Sequence, residues 1–355
     1  MQLIDLGFNP FFDAHFEPHR NQGLSAVRII REDRDKYIAL GESGELNCTV
    51  SGKFRFETGC KGKFPAVGDW VAVSARPEEG KATIQAVLPR KSFFSRKVAG
   101  QKTDEQVVAA NMDIVFIVCG LDLNYNLRRI ERYLSLAWES GADTVVLLNK
   151  TDLCPETEDR KKEVESIALG VEAHAISATL KVGLESVQNR IGHGKTAVFL
   201  GSSGAGKSTI INALLGVERL RVNEVIAAGS RGRHTTTFRE LMLLPNGGMV
   251  IDTPGMRELQ VWGDEEGLER AFGDVEALAS KCRFRDCTHQ SEPGCAVQAA
   301  VSDGSLDQGR LNSYFKLKKE FVYLADRLAM KPNAIEKARW KKISRQIKNL
   351  EGNKT

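Results

Sequence analysis

Short apolar segments alternate with polar turns over the first 105 residues of the chain. Five β-branched segments, at 26–30, 37–40, 45–50, 70–73 and 82–88, are separated by glycines and charged residues. Short strands at this close spacing are typical of an all-β unit. Five of them fit a small barrel, for which an OB-fold is one candidate.

From about residue 106 the pattern changes to strands that alternate with helices. The run 113–119 is continuously apolar, as expected of a strand covered on both faces. Behind it, the apolar residues of a predicted helix recur at helical spacing, namely Leu127, Ile130, Tyr133, Leu134 and Ala137. A strand at 144–148, a charged helix at 157–169 and a strand leading to Ile176 follow. This order predicts an α/β sheet built from βαβ units.

A glycine-rich loop lies between an apolar strand at 196–200 and an apolar helix at 210–215. It fits the pattern G-x-x-x-x-G-K-[ST] and consists of Gly201, Ser202, Ser203, Gly204, Ala205, Gly206, Lys207, Ser208 and Thr209. Its glycines allow backbone N–H groups to face an anion, and the helix N-terminus adds its positive end. We predict a phosphate site in which Lys207 reaches the β- and γ-phosphates and Ser208 binds Mg²⁺.

The tetrapeptide Asn149, Lys150, Thr151 and Asp152 ends the second strand of the predicted sheet. Ligands bind at the carboxyl ends of strands in such sheets. A carboxylate at Asp152 can accept from both N1–H and the N2 amine of guanine, while Asn149 reads the O6/N7 side and Lys150 packs over the ring. Adenine lacks that donor pair and would leave the carboxylate unpaired. Ser177 and Ala178, after the next strand, suit the backbone support of the guanine O6.

Asp252 and Gly255 form a D-x-x-G motif directly after a strand at 248–251. The motif places a carboxylate near Mg²⁺ and a glycine N–H near the γ-phosphate, so that this loop senses hydrolysis. A polar, basic loop at 231–237 lies between the phosphate loop and this motif. One of its threonines, Thr235 or Thr236, is expected to bind Mg²⁺.

Many GTPases place a glutamine after D-x-x-G to orient the attacking water, but this chain has Met256. Methionine has no polar group for that task, so intrinsic hydrolysis is expected to be slow. His234 is the candidate replacement, because a neutral imidazole can position or deprotonate water. The alternative is a histidine that only caps or packs its loop.

Composition and length limit the remaining possibilities. A chain of 355 residues is too long for one typical core and predicts two or three domains. No apolar run approaches the ~20 residues of a membrane span. The early acid Asp5 and the lack of a basic segment before an apolar one argue against a signal peptide, so we expect a cytoplasmic protein.

Three of the seven cysteines lie close to a histidine late in the chain. Cys282, Cys287, His289 and Cys295 follow the spacing C-x4-C-x-H-x5-C. Four such ligands suit a closed tetrahedral zinc site, which leaves no position for water and is therefore structural. The alternative is a set of free buried cysteines near a surface histidine.

Positive charge is concentrated at the C-terminal end. Residues 310–355 carry 13 Lys and Arg against 4 Asp and Glu, whereas the whole chain has a net charge of only +4. Apolar residues there recur at helical spacing in two sets, listed as Tyr314, Leu317, Phe321, Leu324 and Leu328, then Trp340, Ile343, Ile347 and Leu350. Such basic helices attract RNA phosphates, and a merely solubilising helix face is the alternative.

The barrel carries basic and aromatic residues that fit the same partner. Candidates for a basic RNA-facing surface are Lys53, Arg55, Lys61, Lys63, Arg90, Lys91, Arg96 and Lys97. Candidates for base stacking are Phe54, Phe56 and Phe64. A solvated basic face over core phenylalanines is an equal alternative.

The order of the motifs differs from that of ordinary GTPases. Those run from phosphate loop to switch threonine, D-x-x-G, N-K-x-D and S-A, whereas here N-K-T-D and S-A come first. With G-S-S-G-A-G-K-S-T, G-R-H-T-T-T and I-D-T-P-G-M, the chain closely resembles the circularly permuted ribosome-assembly GTPases of the RsgA (YjeQ) family. The resemblance covers nearly the whole chain and supports the same four zinc ligands.

The resemblance implies ribosome-stimulated hydrolysis of GTP to GDP, with Mg²⁺ and one structural Zn²⁺, during late maturation of the small (30S) ribosomal subunit. It implies an OB-fold that binds rRNA. We expect a monomer of three units: an OB-fold β-barrel at 1–105, a circularly permuted α/β P-loop GTPase domain at 106–270, and a C-terminal α-helical zinc-binding domain at 271–355. Alternatives are a nucleotide-gated RNA-binding or chaperone-like module and a metabolic P-loop kinase, against which N-K-x-D counts.

Overall fold

A closed five-stranded barrel forms the N-terminal part of the computed structural model, which describes residues 1–33, 36–58, 61–97, 105–220, 239–252 and 265–322. Its strands are β1 (Ser25–Asp33), β2 (Lys36–Gly41), β3 (Gly44–Val50), β4 (Trp70–Arg76) and β5 (Lys81–Val87). They pair in the order β1-β2-β3-β5-β4, and β4 returns to β1. β3 and β5 are parallel, whereas the other pairs are antiparallel. The predicted barrel is therefore confirmed, with the strand order of an OB-fold.

Two helices pack on the barrel that the strand pattern did not predict. α1 (Pro10–Arg20) begins after Asn9, whose side chain accepts from the Phe11 and Phe12 amides. Phe12 and Phe16 on its inner face are buried in the same apolar cluster as Trp70 of β4. α2 (Gly52–Thr58) lies in the connection between β3 and β4. A hairpin of β6 (Phe93–Lys97) and β7 (Glu105–Ala110) then leads out of the barrel.

The basic and aromatic residues proposed to face RNA differ in whether they have partners within the fold. Arg90 lies 2.7 Å from the buried Asp69 carboxylate and also donates to the carbonyls of Gly62 and Phe64. Its assignment to an RNA-facing surface is therefore wrong, because these partners occupy its guanidinium inside the fold. Phe54 packs edge-on against Phe64 at 6.1 Å, whereas Phe56 is 90% exposed.

Among the residues that the structure describes, six strands form the central sheet, and all of the predicted ones are present. They are β8 (Ile114–Gly120), β9 (Asp143–Asn149), β10 (Glu172–Ala175), β11 (Thr196–Gly201), β12 (Arg239–Leu243) and β13 (Met249–Asp252). The order is β10-β9-β8-β11-β13-β12. The first five are parallel and β12 is antiparallel to β13.

Alternate residues of β8 explain its unbroken apolar run. Val115, Ile117 and Cys119 belong to one apolar cluster, whereas Ile114, Phe116 and Val118 belong to another. The first cluster also contains residues of α3 (Leu127–Glu139) and α4 (Thr157–Ile167), and the second contains residues of α5 (Leu184–Ile191) and α6 (Lys207–Leu215). Helices thus cover both faces of the sheet, as the sequence predicts for a parallel sheet.

The central sheet continues into the barrel. β12 pairs with β1 through Arg31 opposite Glu240 and Glu32 opposite Arg239, which makes one sheet of eleven strands. The Arg239 guanidinium lies 3.0 Å from the Glu32 carboxylate, and both side chains are largely buried. The barrel is therefore joined to the strand that follows residue 238.

The C-terminal part is helical in the described range. It contains α7 (Glu265–Ala271), α8 (Gly273–Ala279), α9 (Ala296–Ser302) and α10 at 308–322. Tyr314, Leu317 and Phe321 of α10 are buried, as their helical spacing predicts. The remaining apolar positions of the predicted C-terminal helices lie outside the described residues. Among the helices that the structure describes, none has the length and apolar character needed to cross a membrane.

Candidate functional site

Four segments that carry candidate residues meet at one edge of the central sheet. Because β8, β9, β10, β11 and β13 are parallel, their carboxyl ends lie on the same side. The phosphate loop follows β11, the guanine motif follows β9, and Ser177 and Ala178 follow β10. Asp252 is the last residue of β13. This is the edge at which parallel α/β sheets bind ligands.

The phosphate loop curls back on itself before α6. Gly206 precedes the helix with a φ of +98°, and a Cβ at this position would lie 2.1 Å from Asn149 Nδ2. Lys207 is the first helical residue, and its ammonium donates to the carbonyls of Gly201 and Ser202 at 2.7 Å. Ser208 and Thr209 follow in the first turn of α6. The helix N-terminus therefore faces the edge described above.

Asn149 joins the guanine motif to two neighbouring segments. Its amide Nδ2 donates to the carbonyl of Ala205 in the phosphate loop at 2.9 Å, and its Oδ1 accepts from the Ala178 amide at 3.0 Å. The side chain is 2% exposed, so both bonds are shielded from water. A single buried residue thus fixes the distance between the predicted base site and the predicted phosphate site.

Asp152 is exposed, and a hydrogen bond from a buried residue fixes its side chain. The hydroxyl of the buried Ser177 donates to Asp152 Oδ1 at 2.5 Å. Thr151 begins the short 3-10 helix Thr151–Leu153, and its amide donates to the Ile176 carbonyl at 3.2 Å. Because Asp152 is exposed, a base with two adjacent donors would fit against its carboxylate.

Lys150 points to a partner that sequence analysis missed. Its ammonium lies 2.5 Å from Asp122 Oδ2, in the loop that follows β8. Burial opposes ionisation of Asp122, but hydrogen bonds from Lys150 and the Asn124 amide outweigh it and lower the pKa of Asp122. The signal was available, since Asp122 is a polar residue two positions beyond the buried strand β8, and Asn149 likewise lies at the end of the buried strand β9.

The predicted switch residues fall in two groups. Asp252 lies in the described part, at the end of β13. In the antiparallel register of β12 and β13, its backbone lies opposite that of Glu240. His234, Thr235, Thr236, Gly255 and Met256 lie outside the described residues. Their roles stay predictions from the sequence.

The four predicted zinc ligands form one cluster between α8 and α9. Their side-chain donor atoms all lie within 4.8 Å of one another. Cys282 Sγ is 3.5 Å from His289 Nδ1 and 3.9 Å from Cys295 Sγ, and Cys295 Sγ is 3.6 Å from His289 Nδ1. Gln298 donates to the His289 carbonyl at 2.6 Å and thereby ties the histidine loop to α9. The spacing in sequence has therefore become a compact Cys3His set.

A nucleotide site in which the guanine motif precedes the phosphate loop along the chain, on a sheet of this strand order, defines a circularly permuted P-loop GTPase. The family model described as RsgA GTPase matches residues 87–262. The chain is also similar to the small ribosomal subunit biogenesis GTPase RsgA of Opitutus terrae. The two are 46% identical over 352 residues, which cover 97% of this chain and 96% of the relative. The chain belongs to the RsgA GTPase family.

Solved structures agree with that assignment. YjeQ from Thermotoga maritima superposes with a TM-score of 0.63 at 28% identity and covers 84% of this chain and 99% of its own. YloQ, described as a circularly permuted GTPase, gives a TM-score of 0.57 at 25% identity over 84% of this chain and 95% of its own. The protein is thus a GTP-hydrolysing enzyme, and its family implies binding of GTP, GDP and Mg²⁺.

Proposed function

We propose that this GTPase acts on the small (30S) ribosomal subunit during late maturation and binds its rRNA through the barrel and the basic C-terminal helices. The name of the Opitutus terrae relative supports the ribosomal role. The observation that carries the guanine-nucleotide site is the pair of bonds from Asn149 to Ala205 and Ala178, because they connect base site and phosphate site through one buried side chain. The three units at 1–105, 106–270 and 271–355 are part of the proposal.

The base is held by the guanine motif in this proposal. Asp152 accepts from N1–H and N2 of the guanine, and Lys150 packs its methylene chain over the ring. Thr151 holds the turn between them, while Ser177 and Ala178 support Asp152 and the O6 side. Selectivity against adenine follows from the donor pair that only guanine presents to a carboxylate.

The phosphates and Mg²⁺ are held by the segments on either side of β11. The loop from Gly201 to Gly206 offers its amides, and Lys207 exchanges its two carbonyl partners for the β- and γ-phosphates. Ser208 and a switch threonine, Thr235 or Thr236, bind Mg²⁺, which neutralises charge on the phosphates. In this proposal the Asp252 carboxylate would lie near Mg²⁺, and the Gly255 N–H would donate to the γ-phosphate.

His234 takes the role that glutamine has in many GTPases, because Met256 cannot orient water. A neutral imidazole at this position orients the attacking water, so its removal is expected to lower kcat without weakening GDP binding. A His234→Ala variant tests this role, with His174→Ala on β10, whose imidazole lies 3.2 Å from the Glu172 carboxylate, as its control. Full ribosome-stimulated turnover of His234→Ala would overturn the assignment.

The Cys3His cluster fits one structural Zn²⁺. Tetrahedral coordination with Zn–S near 2.3 Å and Zn–N near 2.05 Å requires S···S distances of about 3.8 Å and S···N distances of about 3.6 Å. The three distances among Cys282, His289 and Cys295, of 3.9, 3.5 and 3.6 Å, agree with that geometry, and Cys287 Sγ lies within 4.8 Å of the other donor atoms. Four protein ligands leave no open position, so the ion would be structural and would tie the segment after α8 to the start of α9.

GTP turnover by the full chain, alone and with purified small ribosomal subunits, tests the proposed function, with ATP as the control nucleotide. We expect slow turnover alone and strong stimulation that is specific to GTP. Binding to subunits that depends on nucleotide but brings no stimulation would favour a nucleotide-gated RNA-binding module. No response to subunits in either assay would overturn the ribosomal role.

A further inference from the structure

We propose that Asp122 is a positioning residue of the guanine site, which acts by holding the Lys150 side chain in the place where it supports the base. Neither the N-K-x-D motif nor the phosphate loop contains Asp122, and it lies 28 residues before Lys150. The inference rests on the proposed role of Lys150 and goes beyond it, because it assigns the residue that makes that role possible.

The geometry of Lys150 directs its side chain across the edge of the sheet. Its backbone has a φ of +69°, the left-handed conformation that is uncommon for residues other than glycine. From this turn at the end of β9, the side chain reaches the loop after the neighbouring strand β8, where Asp122 Oδ2 lies 2.5 Å from the ammonium. Both side chains are 19% exposed. The methylene chain therefore spans the gap between two adjacent strand ends.

Asp122 is itself held rigidly, as a positioning residue must be. Its Oδ1 accepts from the Asn124 amide at 3.0 Å, and its carbonyl accepts from the Tyr125 amide at 2.9 Å. The preceding Leu121 amide donates to the carbonyl of Asn149 at 2.8 Å, which fixes this loop against the guanine motif. A Cβ at Gly120 would lie 2.9 Å from Asp122 Oδ1, so glycine leaves room for the carboxylate.

The pair supplies order rather than a contact with the reacting atoms. A lysine side chain has several rotatable bonds, and fixing them upon base binding lowers affinity. Asp122 fixes them before the nucleotide arrives, which is the advantage of a preorganised site. Since the base is bound equally in the ground state and the transition state, loss of Asp122 should raise KM and leave kcat at saturating GTP unchanged.

A double-mutant cycle on the full chain tests the inference, with a fluorescent GDP analogue as the probe. We expect Asp122→Ala and Lys150→Met each to weaken GDP binding about tenfold, and the double variant to be no weaker than the poorer single variant. The control is Asp159→Ala, which removes the exposed ion pair between Asp159 and Lys162 on α4. This variant should bind GDP as the parent protein does. Additive losses in the cycle would overturn the inference.

Asp122→Asn separates the ion pair from the turn. An asparagine Oδ1 can still accept from the Asn124 amide, but the side chain carries no charge for Lys150. We expect Asp122→Asn to bind GDP nearly as weakly as Asp122→Ala, with the same ratio of GDP to inosine diphosphate affinity as the parent protein. Affinity restored to the parent value would show that Asp122 only shapes its loop, and would overturn the inference.

The same assay separates failure of the inference from failure of the guanine site. Asp152→Asn should weaken GDP binding and reduce the preference for GDP over inosine diphosphate, which lacks the N2 amine. If neither Asp152→Asn nor Lys150→Met changes GDP affinity, the assignment of the guanine site fails and the inference fails with it. If both weaken binding and Asp122→Ala does not, only the inference is overturned.

Discussion

Arg310 and Glu131 form a buried ion pair across 179 residues of sequence. The Arg310 Nη1 lies 3.0 Å from Glu131 Oε1, and the two side chains are 5% and 0% exposed. Arg310 also binds both oxygens of Asp274, at 2.6 and 2.7 Å, and its guanidinium lies 4.9 Å from the centre of the Phe272 ring. The pair joins α3 of the GTPase sheet to α8 and α10 of the C-terminal part.

Removal of the arginine should therefore destabilise the C-terminal part strongly. Arg310→Met leaves the buried Glu131 carboxylate with Arg128 as its remaining cation and takes both bonds from Asp274. Breaking such a buried pair from one side costs up to about 3–5 kcal/mol. Urea unfolding followed by circular dichroism measures this loss in the free energy of unfolding. Arg285→Met, at an exposed arginine in the cysteine loop, is the control and should stay within about 0.5 kcal/mol of the parent. Equal stability of both variants would contradict the prediction.

Gly206→Ala should weaken nucleotide binding strongly. Its Cβ would lie 2.1 Å from Asn149 Nδ2, so the asparagine that joins base site and phosphate site has to move. We expect the Kd for GDP to rise by at least about 100-fold, because both sites are displaced together. Equilibrium titration with a fluorescent GDP analogue measures it.

Gly216→Ala is the matched control for that substitution. Gly216 also has a positive φ, +72°, but a Cβ there meets nothing within 4 Å. The variant should lose about 1 kcal/mol of stability through backbone strain and keep its GDP affinity. Similar losses of GDP affinity in both glycine variants would mean that strain, and not the contact with Asn149, governs binding.

The protein should bind one zinc ion per chain, and this binding should require the four ligands of the Cys3His cluster. Cys295→Ser removes one thiolate from the set, and we expect its zinc content to fall from about one ion per chain to near zero after dialysis against a mild chelator. Cys154→Ser, at a partly buried cysteine outside the cluster, should keep its zinc. Metal analysis by mass spectrometry measures both. Zinc retained by Cys295→Ser would rule out this ligand set.

The Asp122–Lys150 pair should be insensitive to pH in the working range. The pKa of Asp122 in the folded protein lies below its ordinary value of 3.8. The contribution of the pair is therefore fully present above about pH 4 and is lost only as the pH falls through the folded pKa. We expect the ratio of GDP affinities between the parent and Asp122→Asn to be the same at pH 5 and pH 8. A ratio that falls towards one at pH 5 would contradict this.

The parts of the fold that the sequence predicted are those in which local pattern and tertiary packing agree. The apolar run at 113–119 became β8 because helices cover both of its faces, and the helical spacing after it became α3. The guanine motif and the phosphate loop lie together because parallel strands end at one edge. The zinc ligands are close in sequence, so their clustering needed no knowledge of the fold.

The missed features depend on residues that are distant in sequence. Arg90 is a basic residue in a basic stretch, which suggests an RNA contact. Only the fold shows that its guanidinium binds Asp69, 21 residues earlier. Arg28 is fully buried and donates to the carbonyls of Leu6, Gly68 and Asn111, which no local pattern announces. Asp122 belongs to the same class, since its partner comes from the next strand of the sheet.

The pairing of β1 with β12 has a consequence for the GTPase sheet as a separate body. Unpaired backbone groups along a strand at a sheet edge are a template for other chains. At its far edge the sheet ends in β10, which has only four residues and carries Glu172 and His174. At the near edge, β1 covers the backbone of Arg239 and Glu240. A chain begun at residue 106 would expose that backbone, and self-association of the shortened protein is the expected result.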